Sequence, residues 1–192
     1  VSYGYEGRSR ALKDLSLTVP KGSVVALVGL SGCGKSTTAA LLMRFCDAAA
    51  GHIYMEGKDY HSMKPEELRK HIAMVPQQVN LFSGTIRDNL LLADPDADDE
   101  TLMEAIKEAG LLKFVQSLEK GLDSDVGNAG ASLSGGQRQK IGIARALLSK
   151  AEYMIFDEAT SSVDPESEKE IWETIGHLAH TRTLIIISHR MS

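Results

Sequence analysis

Residues 23–28 (SVVALV) form a short β-branched run that stops at Gly29-Leu-Ser-Gly-Cys-Gly-Lys35-Ser36, and a helical pattern follows directly. A strand, a glycine-rich turn and a helix start in immediate succession leave few folds open. Glycines let the backbone curl until successive N–H groups face one point. The helix N-terminus adds partial positive charge at that point. The spacing G-x-x-x-x-G-K-[ST] is that of a phosphate-binding loop. Gly29, Ser31, Gly32, Cys33, Gly34, Lys35, Ser36 and Thr37 are therefore the expected nucleotide contacts. Lys35 is expected at the β- and γ-phosphates, and the Ser36 hydroxyl at Mg²⁺. A chance glycine-rich turn would share the letters but not the strand-to-helix setting.

The rest of the chain repeats the alternation of strand and helix. Residues 53–55 and 72–75 read as short strands, and 23–28, 153–156 and 183–187 as buried ones. Residues 35–46, 65–70, 134–148 and 165–177 read as helices, with proline at an early position in the 65–70 helix. Apolar strands alternating with helices imply an α/β fold whose mainly parallel sheet is covered on both faces. Residues 85–118 are helical by pattern, with breaks near Asp94-Pro95 and Gly110. A helical subdomain over about 83–131 is therefore expected between core segments at about 1–82 and 132–192.

Composition removes several classes of function. The chain has 192 residues, enough for one domain with a buried core. A net charge of −5 with no block of Lys or Arg speaks against a nucleic-acid partner. The apolar runs near 24–30 and 184–187 are far too short to span a bilayer, and no leader pattern opens at Val1. Cys33 and Cys46 lack metal-ligand spacing, which points to reduced thiols. Cys46, set in an apolar helical pattern, reads as a core filler.

Two further motifs carry chemistry. Tyr153-Met-Ile-Phe-Asp157-Glu158 is an apolar strand ending in two acids. An acid at that end faces the crevice where open α/β sheets bind ligands, so Asp157 can hold Mg²⁺ and Glu158 can orient and deprotonate a water. A strand ending in solvated charge is the plainer alternative. Leu133-Ser134-Gly135-Gly136-Gln137 opens the 134–148 helix with a hydroxyl and glycine N–H groups, a second anion-binding device. An ordinary helix cap with flexible glycines would look similar. One nucleotide needs only one phosphate loop, so a second grip is informative.

The run LSGGQRQKIGIARAL, from Leu133 to Leu147, resembles the signature of ATP-binding-cassette (ABC) ATPases. The family's other motifs follow in its order. Val75-Pro76-Gln77 resembles the Q-loop, Ser161-Ser-Val-Asp164 the D-loop, His189 the switch histidine, and Tyr5 the aromatic that stacks on adenine. Asn80 to Leu90 looks like the exporter type. The resemblance covers nearly the whole chain. It implies a P-loop NTPase core with an N-terminal antiparallel β portion and a helical subdomain, binding ATP with Mg²⁺. It also implies that Gln77 serves both metal and catalysis, and that Asp164 and His189 contact nucleotide. Two such domains would pair head to tail, each ATP lying between the phosphate loop of one and Ser134 to Gln137 of the other. The expected partners are a second ABC ATPase domain and transmembrane domains, at the cytoplasmic face of a membrane. Lys35, Gln77, Glu158 and His189 would form the catalytic set.

Two departures from the family pattern stand out. Exporter-like members read T-x-V-G-E-x-G before the signature, and here Asn128 replaces that Glu, which implies an altered contact to the membrane domain. The chain also ends soon after His189, so truncation at both ends relative to the family is expected. The alternative function is a soluble ABC ATPase not coupled to transport. Chromosome-type relatives carry a long coiled-coil insertion, absent between Gln77 and Leu133, and ribosome-type relatives carry two cassettes. Intact Lys35, Asp157, Glu158 and His189 argue against an inactive cassette.

Overall fold

The structure is a computed structural model that describes residues 1–5 and 10–189. It divides into two compact units. The first comprises Val1–Met74, Ala151–Glu158 and Arg182–Ser192, and the second Val75–Lys150 and Ala159–Thr181.

The first unit holds the sheet. Strands β1 (Tyr3–Gly4) and β2 (Arg10–Leu12) pair antiparallel. Strand β3 (Val24–Val28) leads into helix α1 (Lys35–Leu42). A hairpin of β4 (Tyr54–Met55) and β5 (Lys58–Asp59) follows. Its turn residues Glu56 (φ 50°) and Gly57 (φ 82°) both lie in the left-handed region, as a two-residue turn matching strand twist requires. Helix α2 (Pro65–His71) starts on a proline and runs into β6 (Ile72–Val75). The main sheet is completed by two later strands. With β7 (Tyr153–Asp157) and β8 (Thr183–Ser188) its order is β3-β8-β7-β6. Strand β8 runs parallel to both neighbours, so Ile185 lies level with Val25 on one side and Ile155 on the other. Ala39, Met43, Leu68, Ile72, Ile155, Ile185 and Ile187 form the buried cluster against this sheet.

Two sequence expectations are corrected here. β3 is not a buried strand: Val24 is 47% and Val28 44% exposed, because β3 is outermost in the sheet order and β8 is its one strand neighbour among the described residues. α1 ends at Leu42 rather than running to Cys46. Arg44 turns left-handed (φ 50°), and its guanidinium donates to the Tyr60 carbonyl (2.6 Å), the Met63 carbonyl and Asp47 (3.0 Å). Those bonds reverse the chain. Cys46 therefore lies in the turn, half-buried and within hydrogen-bond reach of Tyr3, and is not a helical core filler.

The second unit is mainly helical. It contains α3 (Ile86–Leu91), α4 (Asp99–Glu108), α5 (Leu112–Ser117), α6 (Gly135–Leu148) and α7 (Pro165–Leu178). Each of α3, α4, α6 and α7 begins on a residue whose side chain accepts a first-turn N–H: Thr85, Asp98, Ser134 and Asp164. Helices α3, α4 and α7 pack on α6, burying Leu102, Ile106, Ile141, Ile143 and Ile171. Helix α7 packs on α6, and α6 on α3 and α4, so α6 and α7 group with the helical segments of the second unit. Lys140 of α6, buried, donates to the Gly110 carbonyl (3.2 Å) and pairs with Glu170. Among the described residues, no helix is long and apolar enough to cross a membrane.

Candidate active site

The phosphate loop takes its shape from two left-handed glycines, Gly32 (φ 81°) and Gly34 (φ 98°). Gly34 has a second constraint. A Cβ there would meet Leu12 Cδ2 at 2.5 Å and the Ala11 carbonyl at 2.7 Å, so β2 lies too close for any side chain. Lys35 is buried, and its ammonium donates to the carbonyls of Gly29 (2.7 Å) and Leu30 (3.0 Å). Cys33 is exposed, with its sulfur 3.9 Å from Lys35 Nζ. Thr37 is buried, and its hydroxyl is 3.3 Å from the hydroxyl of Tyr5. Tyr5 is half-exposed and packs edge-on against Tyr3 (centroids 5.1 Å apart), so an aromatic face stands beside the loop.

The end of β7 supplies the acids. Asp157 is buried and Ser36 hydrogen-bonds its carboxylate, yet Oδ1 has no hydrogen-bond partner. Burial, reinforced by the Glu158 charge, raises the Asp157 pKa, and Ser36 and Lys35 only partly offset this. A buried carboxylate oxygen without a donor is costly, and a hard cation would complete it. Among the described residues no three His, Cys, Asp or Glu side chains form a metal cluster. One carboxylate and one hydroxyl are instead the sparse oxygen set suited to Mg²⁺, which keeps waters and takes phosphate oxygens. The residues therefore fit that ion. Glu158 follows in a left-handed conformation (φ 50°), its N–H donating to the Ile187 carbonyl at 3.0 Å. Such a backbone costs about 1–3 kcal/mol and persists where the surroundings impose it. Its carboxylate lies 3.3 Å from His189 Nδ1.

A stability prediction follows from Asp157. The carboxyl titrates in the ordinary carboxylate range in the unfolded chain and higher in the folded one. Ionised Asp157 thus opposes folding above the folded-state pKa, and the penalty disappears as pH falls to the unfolded value. Asp157→Asn is expected to raise the melting temperature of the metal-free, nucleotide-free chain at neutral pH, and to lose that advantage in acid. Melting curves across pH check it, and a lower melting temperature at neutral pH contradicts it.

The second unit holds the remaining sequence-predicted residues. Ser134 Oγ accepts the Gln137 N–H (3.1 Å), while Gln137 Oε1 accepts the Ser134 N–H (2.8 Å). This reciprocal cap leaves the N–H groups of Gly135 and Gly136 at the open end of α6. Gly136 also has a packing reason, because a Cβ there would meet Ser167 Oγ at 2.3 Å. Asp164 caps α7 through Ser167 N (3.0 Å). Exposed Gln77 donates to Ser161 Oγ at 3.0 Å. One residue escaped the sequence reading: Gln139, buried in α6, donates to the Pro76 carbonyl at 2.9 Å. Its signal was a polar residue at a helical position facing the apolar side.

Strand, phosphate loop, buried aspartate and following glutamate together define a P-loop nucleoside triphosphatase. A family model described as ABC transporter matches residues 12–161. The ABC-type transporter kk1G of Curvularia clavata is 46% identical over 195 residues, covering 100% of this chain and 15% of that protein. The ATP-dependent lipid A-core flippase of Vibrio cholerae is 43% identical over 194 residues, covering 100% of this chain and 33% of its own length. A solved structure, a bacterial Atm1-family ABC exporter with ATP bound, superposes with a TM-score of 0.91 at 39% identity, covering 100% of this chain and 33% of that one. The chain belongs to the ABC transporter family. It spans only about a third or less of the length of these relatives.

Proposed function

We propose that this chain hydrolyses Mg²⁺-ATP within a head-to-tail pair of such domains and thereby drives a membrane exporter. The observation that carries the reading is Asp157 Oδ1, buried and without a hydrogen-bond partner beside Ser36, on the strand that also presents Glu158 to His189. Residues 1–192 act as one ABC ATPase domain, with a P-loop core and a helical subdomain.

Gly29, Ser31, Gly32, Cys33, Gly34 and Thr37 wrap the phosphates through backbone N–H groups and the Thr37 side of the loop. Lys35 exchanges its carbonyl partners for β- and γ-phosphate oxygens, and Tyr5 stacks on the adenine. Ser36 and Asp157 hold the cation, with Gln77 completing its surroundings. When bound, Mg²⁺ neutralises charge on the phosphate oxygens. Glu158 takes a proton from the attacking water, and His189 holds the Glu158 carboxylate and adds a donor toward the γ-phosphate. Lys35 and His189 stabilise the charge that spreads over the transferring phosphoryl group.

The second copy supplies Ser134, Gly135, Gly136 and Gln137 to the γ-phosphate, and Asp164 lines the shared surface. Charge-assisted hydrogen bonds to that phosphate exist only before hydrolysis, so ATP favours the closed pair and ADP the open one. Transmembrane domains receive that motion, which places the chain at the cytoplasmic face of a membrane. The named relatives are transporters and flippases, which supports this coupling. Asn128 receives a hydrogen bond from Ser83 Oγ (3.3 Å) where exporter-like members carry Glu, so the contact to the membrane domain is altered there.

Sedimentation velocity of the Glu158→Gln chain tests the pairing. The protein is expected to sediment as a monomer without nucleotide and as a dimer with Mg²⁺-ATP. A dimer that forms equally well without nucleotide contradicts the ATP-sandwich account.

A further inference from the structure

Helix α6 grips the segment after β6 at successive turns along one stripe. Gln139, Gly142 and Arg145 are spaced i, i+3 and i+6, so they lie on neighbouring positions of one helix face. Gln139 Nε2 donates to the Pro76 carbonyl at 2.9 Å. A Cβ on Gly142 would meet Val79 Cγ2 at 2.5 Å, so Val79 sits directly against the α6 backbone. Arg145 Nη1 donates to the Asn80 carbonyl at 2.8 Å, and its Nε to the Asn89 carbonyl at 2.7 Å. The helix therefore holds residues 76, 79 and 80 in order, and Gln77 lies inside the gripped stretch. The Gln77 side chain is held at its far end by Ser161 Oγ, 3.0 Å away.

The Gln139 amide is the informative member. It is only 3% exposed, and an apolar side chain of similar length would fill that space without an amide to desolvate. A carbonyl in an exposed loop can be satisfied by water in many positions, whereas a buried donor satisfies it in one. The Pro76 carbonyl shares a rigid plane with the N and Cα of Gln77, and the proline ring fixes φ just before it. Fixing that oxygen therefore fixes the direction in which Gln77 leaves the backbone.

We propose that Gln139 is a positioning residue for Gln77, and that α6 acts through Gln139, Gly142 and Arg145 as a clamp on residues 76–80. The helix that opens on Ser134 and its glycines thus also sets the aim of Gln77. This rests on the reading that Gln77 serves ATP hydrolysis.

The test is a double-mutant cycle in the full ATPase-active chain, with turnover, fluorescent-ATP binding in Mg²⁺ and in EDTA, and melting temperature as readouts. Gln139→Met removes the donor at nearly constant length. It is expected to slow turnover about 10-fold, the lower end of the range for losing an outer orienting contact, and to leave binding in EDTA unchanged. In a Gln77→Ala background it should cost nothing further, because both changes remove one function. Gly142→Ala, which pushes on Val79, should slow turnover in the same way, and Val79→Ala added to it should restore the rate. This pair decides the matter if Gln139→Met shows no folded melting transition. Wild-type turnover in Gln77→Ala overturns the role given to Gln77 itself. A slow Gln77→Ala with Gln139→Met at wild-type rate, or with fully additive losses, overturns the clamp. So does a loss of EDTA binding that parallels the loss of turnover, since that marks general damage to the fold.

Discussion

Glu158→Gln is expected to slow ATP hydrolysis by about 10²–10⁴-fold, the range for losing a general base, while ATP binding persists. The geometry explains the size of the effect. The Glu158 backbone is pinned by its N–H bond to the Ile187 carbonyl, and its carboxylate lies 3.3 Å from His189. A glutamine amide keeps the volume and can still hydrogen-bond the imidazole, so the site should keep its shape. It cannot accept a proton from water. Bound ATP should then persist and hold two copies together. Single-turnover hydrolysis, measured beside an active wild type, checks this. Near-normal turnover removes Glu158 from the role of base.

Lys35→Met should lower kcat/KM by about 10²–10³-fold, the scale for removing one strong donor from a developing oxyanion. Lys35 has two jobs at one atom. Its ammonium donates to the Gly29 and Leu30 carbonyls, which keeps the loop curled, and in the proposed function the same ammonium meets the phosphate charge. Methionine keeps most of the buried stem and removes both. Fluorescent-ATP titration and steady-state kinetics are the measurements, with melting temperature confirming a folded chain. Wild-type kcat/KM in a folded Lys35→Met chain contradicts the assignment. Lys35→Arg is not a mild control, because a planar fork cannot replace a compact ammonium in a glycine-walled loop.

Most of the site's vocabulary was legible from local chemistry. Gly32 and Gly34 could be read as loop glycines because only glycine adopts φ near 81° and 98° without strain. Ser134 could be read as a helix cap because a hydroxyl before a helix has a backbone N–H to satisfy. Gly136 was harder. Sequence offers phosphate binding or a flexible cap as its reason, but Ser167 at the start of α7 also excludes a side chain there, and Ser167 is distant in sequence. The half-exposed state of β3 was equally hidden. An apolar run looks the same at the centre and at the edge of a sheet, and only strand order separates the two.

By itself the sequence determined what rests on neighbours along the chain. The strand–loop–helix phosphate site, the strand that ends in Asp157 and Glu158, the helical middle with its breaks and the capped start of α6 are all of this kind. Each is set by covalent spacing and by hydrogen bonds that close within a few residues. Tertiary structure decided what rests on approach between distant segments. It left Asp157 Oδ1 buried beside Ser36, brought His189 to Glu158, ended α1 at Leu42 through the Arg44 contacts, and set Gln139 on the Pro76 carbonyl. Burial, and the cost of an unpaired polar atom inside it, exist only once those segments have met.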